Sequence, residues 1–255
     1  MKHIQKVFLT GEKPVVSDEV LEKQFNLQSL KQIQKMMVMR ESEGKHYIGL
    51  IHKDKFSKDN FVINVPIMPM VFYDSAYTSN LLLKQIRTEL FKILNEENKD
   101  SAYNATTDHK VYRFIGYATS VVFLLCNSLE CFANEIISTK DFKYQRKTRK
   151  NTEIYDSFES QQFIDIKTKL TEILPEAMGV RLEINSLFVQ SVFRLVDFRN
   201  ELTHLKIKES IIKERIDILR KCLSFDYDKS LMDVRKFINH FSPDYLKDCD
   251  CAENF

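Results

Sequence analysis

The chain has 255 residues, 44% apolar and 29% charged, with only five glycines and five prolines. That composition excludes a collagen-like, low-complexity or disordered chain and favours a helix-rich globular protein, long enough to bury a full core. Its 38 basic and 36 acidic residues leave a formal charge of +2, so any binding of nucleic acid needs a local basic patch rather than the attraction of the whole molecule.

The first residues, Met1-Lys2-His3-Ile4-Gln5-Lys6, lack the apolar core and small-residue cleavage site of a secretory signal, which predicts a cytoplasmic protein. Gly11 and Pro14 break the chain, and Ser17-Asp18 is placed to cap a helix through Leu21, Leu27, Leu30 and Ile33. Met36 to Arg40 and His46 to His52 read as strands around Ser42-Glu43-Gly44, and Phe61 to Val65 alternates until Pro66 and Pro69 stop it. A helix over 75–95 follows, with Leu82, Ile86, Leu90 and Ile93 at helical spacing. Residues 1–100 are thus expected to form a smaller N-terminal α+β accessory module.

The polar run 98–108 is the expected linker, and a helical domain is expected over 109–245. Val111, Ile115, Ala118, Val122, Leu125, Leu129, Phe132 and Ile136 step alternately by four and three, the seam of a long helix. Val121, Phe123 and Leu124 widen the apolar surface, which predicts a central position in a bundle. The uncharged stretch 114–129 contains Gly116, Thr119, Ser120, Asn127 and Ser128 and is expected to fall short of a membrane span. Further along, Glu130 and Asn134 share a face beside the seam while Glu135 points elsewhere. A carboxylate and an amide bordering a core require partners.

Residues 140–150 carry six cations, Lys140, Lys143, Arg146, Lys147, Arg149 and Lys150, interleaved with Phe142 and Tyr144. Cations and aromatic rings together are what a single-stranded RNA site uses, so Lys143, Tyr144, Arg146, Lys147, Arg149 and Lys150 are the expected RNA contacts of a basic loop. A solvated charge run is the plain alternative. Helices are expected over 157–173, ended by Pro175 and Gly179, over 184–205, and around Lys229 to His240 with Val234, Phe237 and Phe241 inward. In the 184–205 helix the stripe is Phe188, Val192, Leu195, Phe198, Leu202 and Leu205. Arg199 falls beside that stripe, and Asn200 and His204 lie together on the far side. A guanidinium so near a core needs a carboxylate, and Glu130 is the expected partner.

The stretch Arg199-Asn200-Glu201-Leu202-Thr203-His204 resembles the R-x4-H signature of the HEPN superfamily, and Leu129-Glu130-Cys131-Phe132-Ala133-Asn134-Glu135 is similar to the first conserved helix of many such domains. The resemblance covers roughly 109–225 and implies a mainly α fold, a HEPN-like antiparallel helical bundle. It also implies a metal-independent RNA endonuclease with Arg199, Asn200 and His204 as catalytic residues and Glu130 and Asn134 in support. Such a nuclease needs no cofactor and no metal, cleaves by 2′-hydroxyl attack, and works as a homodimer in which two copies of the motif share a cleft. Lys206 stands where the toxin branch paired with nucleotidyltransferase antitoxins carries tyrosine, which disfavours that branch and leaves an abortive-infection or other phage-defence role, with a protein regulator or antitoxin as a further partner.

Two alternatives stand beside this reading. One is a non-catalytic HEPN module binding RNA, nucleotide or a protein partner; the other is a helical protein in which Arg199 and His204 are both structural. The five cysteines, two of them in the apolar helix, fit a reducing compartment better than a disulfide framework. Cys249 and Cys251 have no second Cys/His pair at ligand spacing and read as an ordinary exposed tail.

Overall fold

The computed structural model describes residues 3–10, 37–42, 44–53, 56–57, 59–100, 105–140, 142–147, 151–204 and 210–250. The fold is mainly helical, with a small sheet region near the N-terminus. The chain divides into two compact units, Lys6–Met70 and the remainder, Met1–Gln5 with Val71–Phe255.

In the smaller unit, strands β1 (Met37–Ser42), β2 (Lys45–Lys53) and β3 (Asn60–Asn64) form an antiparallel sheet in the order β1-β2-β3. Gly44 at φ 73° permits the reversal between β1 and β2. Leu9 joins this unit by accepting from Ile48 and donating to the Val65 carbonyl, both at 2.9 Å. The helix expected through Leu21 to Ile33 lies outside the described residues.

The larger unit contains all but the first three residues of α1 (Met68–Asp100) and the whole of α2 (Ala105–Thr139). The boundary expected at 98–108 is displaced: residues 98–100 end α1, residues 105–108 begin α2, and Thr107 is buried. Helix α1 belongs with the bundle because Tyr73, Ala76, Tyr77, Leu83, Ile86 and Leu90 are buried. Tyr73 also donates to the Leu231 carbonyl (3.0 Å), and Arg87 to that of Leu223 (2.9 Å). Leu82, expected inward, is exposed, and Leu83 takes its place.

Helix α2 occupies the centre. Phe114, Ala118, Val121, Val122, Leu125, Cys126, Leu129, Phe132, Ala133 and Ile137 are fully buried. The stripe drifts from Ile115 and Ile136 to Phe114 and Ile137, since a straight helix of 3.6 residues per turn does not hold a seven-residue repeat. By length and composition α2 is apolar enough over Thr107–Thr139 to cross a membrane, a longer apolar element than the uncharged stretch alone predicts. Here the stripe from Phe114 to Ile137 is buried, while Tyr112 is exposed.

Residues 144–155 correct the expected loop: β4 (Tyr144–Lys147) and β5 (Thr152–Tyr155) pair antiparallel. The single helix expected over 157–173 is also broken. Helix α3 (Ser157–Phe163) stops at extended Ile164, and Asp165 caps a new start, α4 (Ile166–Thr168). A π-helical turn, Lys169–Ile173, leads directly into α5 (Leu174–Met178). Pro175 does not end this helix; it lacks an N–H for the Thr171 carbonyl, its ring crowds that carbonyl, and the wider π turn makes room. The stop is Gly179, in the left-handed conformation at φ 62°.

Helices α6 (Leu187–Thr203), α7 (Ile211–Ser224) and α8 (Tyr227–Phe241) complete the bundle. Helix α7 was not among the expected elements although Ile212, Ile216, Leu219 and Leu223 stand at helical spacing; Cys222 is its one buried residue. Helix α8 buries Leu231, Val234, Phe237, Ile238 and Phe241. The chain ends pair with each other: Gln5 donates to the Lys247 carbonyl (2.8 Å) and Cys249 to that of His3 (3.0 Å). Residues through Cys249 are thus tied down rather than a loose tail, and Cys251 lies outside the described residues.

Candidate functional site

Helix α6 carries the Arg199-Asn200 pair and is clamped on two sides near that end. Asp197 meets Lys167 at 2.6 Å, and Glu201 meets Lys221 at 2.7 Å. Beneath them Val192, Leu195, Val196 and Phe198 are buried, and this apolar face does most of the anchoring, since exposed ion pairs contribute roughly 0–1 kcal/mol each.

Arg199 lies at the core edge with 22% of its side chain exposed, and its Nη2 donates to Oε2 of Glu130 at 3.3 Å. Its Nη1 donates to Oδ1 of the neighbouring Asn200 at 3.2 Å. Below it, burial pushes the Cys126 thiol up to about 12 against the opposing pull of the guanidinium, so the thiol keeps its proton; it lies 3.9 Å from the Leu195 carbonyl it donates to.

The other oxygen of Glu130 is taken as well. Oε1 accepts from Nζ of Lys169 at 3.2 Å, and the same ammonium donates to the Gln161 carbonyl at 2.6 Å. Two cations on one carboxylate leave one positive charge in excess. Lys169 is fully buried and was not among the expected site residues, although its position was readable: with Ile166, Leu170 and Ile173 it completes an i, i+3, i+4, i+7 stripe, where a charge demands explanation. Asn134, expected beside Glu130, has an Oδ1 that is buried without a hydrogen-bond partner among the described residues. Glu135 accepts from the Tyr245 hydroxyl at 2.8 Å.

His204 stands at the very end of the helix. The regular helix stops at Thr203, and His204 is its C-cap at φ −119° and ψ 74°, exposed, with its backbone N–H on the Asn200 carbonyl at 2.9 Å. That bond keeps the His204 backbone nitrogen on the helical path, and the chain leaves the helix at this residue. Lys206, and Leu205 of the expected stripe, lie outside the described residues.

Of the expected RNA contacts, Lys143 and Arg146 are exposed on the β4–β5 hairpin. Tyr144 is not a stacking platform. It is 5% exposed, packed with Ile137, Ile164 and Ile173, and its hydroxyl donates to Glu172. Burial, reinforced by that carboxylate, pushes the phenol up to about 12. The partners that draw the ring inward, Ile137, Ile164 and Ile173, stand on other elements and are not visible in the local charge pattern. Lys147 ends β4, and Arg149 and Lys150 lie outside the described residues. Among the described residues no group of three or more His, Cys, Asp or Glu is gathered as a metal site would be.

Comparison with protein-family models, with curated proteins and with solved structures finds no match. The functional reading therefore stands on the residues themselves.

Proposed function

We propose that this chain is a metal-independent RNA endonuclease of the HEPN type, with Arg199, Asn200 and His204 as its catalytic residues. The observation that carries the reading is the held guanidinium: Arg199 bonds both Glu130 and Asn200, yet keeps 22% of its surface exposed, at the helix end that His204 caps. An arginine fixed in this way presents charge to a phosphate without first having to be ordered.

The chemistry follows from the side chains. The His204 imidazole takes the proton of an RNA 2′-hydroxyl, the 2′-oxygen attacks the adjacent phosphorus, and the bond to the 5′-oxygen breaks as that oxygen gains a proton. The products are a 2′,3′-cyclic phosphate and a 5′-hydroxyl. Arg199 stabilises the charge of the phosphorane. Because the side-chain Oδ1 of Asn200 already accepts from Arg199, its side-chain amide N–H groups are the part left to orient the phosphate. One histidine per motif supplies one proton-transfer group, so two motifs facing each other in a homodimer complete the acid–base pair. Exposed Lys143 and Arg146 supply phosphate contacts. A phage-defence or toxin role, under a protein regulator, is the setting in which such an RNase is proposed to act.

The test is cleavage of single-stranded RNA in EDTA. Arg199→Ala is expected to lower the rate roughly 10²- to 10³-fold and His204→Ala roughly 10²- to 10⁴-fold. Absence of wild-type cleavage, or unchanged rates in both variants, sinks the assignment. RNA binding without cleavage, lost in Arg199→Ala, is the signature of a non-catalytic module instead.

A further inference from the structure

The buried lysine beside the motif has no place in the chemistry above. Lys169 opens the π turn that makes room for Pro175, and its side chain is 1% exposed. Replacing a buried ion pair by apolar residues is often neutral or stabilising, so stability alone is a weak reason for an ammonium where Leu or Met would pack. Its hydrogen bonds suggest another. Nζ is held by the Gln161 carbonyl at 2.6 Å, one of the last carbonyls of α3, which the helix itself leaves unpaired. From that fixed point it reaches Oε1 of Glu130 at 3.2 Å, while Oε2 of the same carboxylate accepts from Arg199 at 3.3 Å.

We propose that Lys169 is a positioning residue of the motif, acting on Arg199 through Glu130. A carboxylate gripped through both oxygens, by cations from two different elements, cannot turn about its own axis. Released at Oε1, the Glu130 side chain is free to rotate toward solvent, with 32% of its surface already exposed, and the guanidinium loses its fixed direction. The turn that carries Lys169 is itself held from the other side, since Glu172 on the same turn accepts from buried Tyr144. The effect on cleavage rests on the nuclease reading; the effect on Arg199 does not.

Two measurements test it on the full chain. In RNA cleavage, Lys169→Met is expected to lower kcat on the order of 10²-fold, the scale of a small misplacement in an active site, with KM little changed. The double variant Lys169→Met/Glu130→Gln is expected to be no slower than Glu130→Gln alone, because both act on one interaction. In NMR, the Nε–H signal of Arg199, assigned by its disappearance in Arg199→Lys, is expected to shift or broaden in Lys169→Met. Where Lys169→Met does not fold by circular dichroism, Lys169→Gln takes its place in both measurements. An unmoved Arg199 signal overturns the positioning role, as do wild-type kinetics or rate reductions that multiply in the double variant. A wild type that cleaves no RNA, with an Arg199 signal that still responds to Lys169→Met, sinks the nuclease reading and leaves the positioning role standing.

Discussion

Glu130 is one carboxylate serving two cations, and its removal is not symmetrical. Glu130→Gln keeps an acceptor for Lys169 and leaves the Gln161 carbonyl in place, but strands the buried ammonium without a counter-charge. The expected loss of stability is about 3 kcal/mol, the low end for breaking a buried pair, or a fall in Tm of about 6–12 °C for a chain of this size. Adding Lys169→Met removes the stranded charge and should return most of that stability in thermal melts. A double variant less stable than Glu130→Gln would contradict this. The Arg199–Glu130 pair was legible in the sequence, because a guanidinium beside an apolar stripe must find a carboxylate. Lys169 is legible only through its place on the Ile166–Leu170–Ile173 stripe, because a lysine ordinarily marks a solvated face. The end of the helix at Thr203, with His204 as its cap, carries no glycine or proline signal in the sequence.

At the scale of elements, long helices and the β1–β2–β3 strands announced themselves by period, and the short irregular pieces did not. The basic loop became a hairpin because Tyr144 is drawn into a cluster with Ile137, Ile164 and Ile173, partners far apart in sequence. Tyr144→Phe is expected to cost about 1 kcal/mol, the scale of a single hydrogen bond, and to leave RNA affinity unchanged. A large drop in affinity would restore the ring as an RNA-binding group. The folded phenol holds its proton more tightly than a free one, so the stabilisation from its hydrogen bond is complete below about pH 10 and is lost as pH rises toward about 12. On the same hairpin, Lys143→Ala with Arg146→Ala should weaken RNA binding and reduce the salt slope by roughly 0.7 for each single-strand phosphate that is no longer neutralised; an unchanged slope would remove the hairpin from the interface. Gly179 stands at φ 62° with open space where a Cβ would go, so Gly179→Ala meets backbone strain without a clash. The expected destabilisation is about 1–2 kcal/mol, read as a fall in Tm; an unchanged Tm would contradict the stop assigned to it.

At the scale of the molecule, a mainly helical fold followed from few glycines and prolines and from the 3.6-residue period of α2. The division of the chain did not, because a polar run marks either a linker or the solvated ends of two helices, and only the burial of Tyr73, Ala76 and Leu90 assigns α1 to the bundle. With a net charge of +2, the proposed RNA binding must come from local cations rather than from the whole field. The shared-cleft proposal requires a dimer: light scattering at micromolar concentration should give twice the 30.1 kDa chain mass, and a monomer under cleaving conditions would contradict it. The most direct test of the central claim is mass spectrometry of the ends produced when RNA is incubated with the protein in EDTA. The expected result is 2′,3′-cyclic phosphate and 5′-hydroxyl ends that vanish with His204→Ala; intact RNA, or ends bearing 5′-phosphate and 3′-hydroxyl, would contradict it.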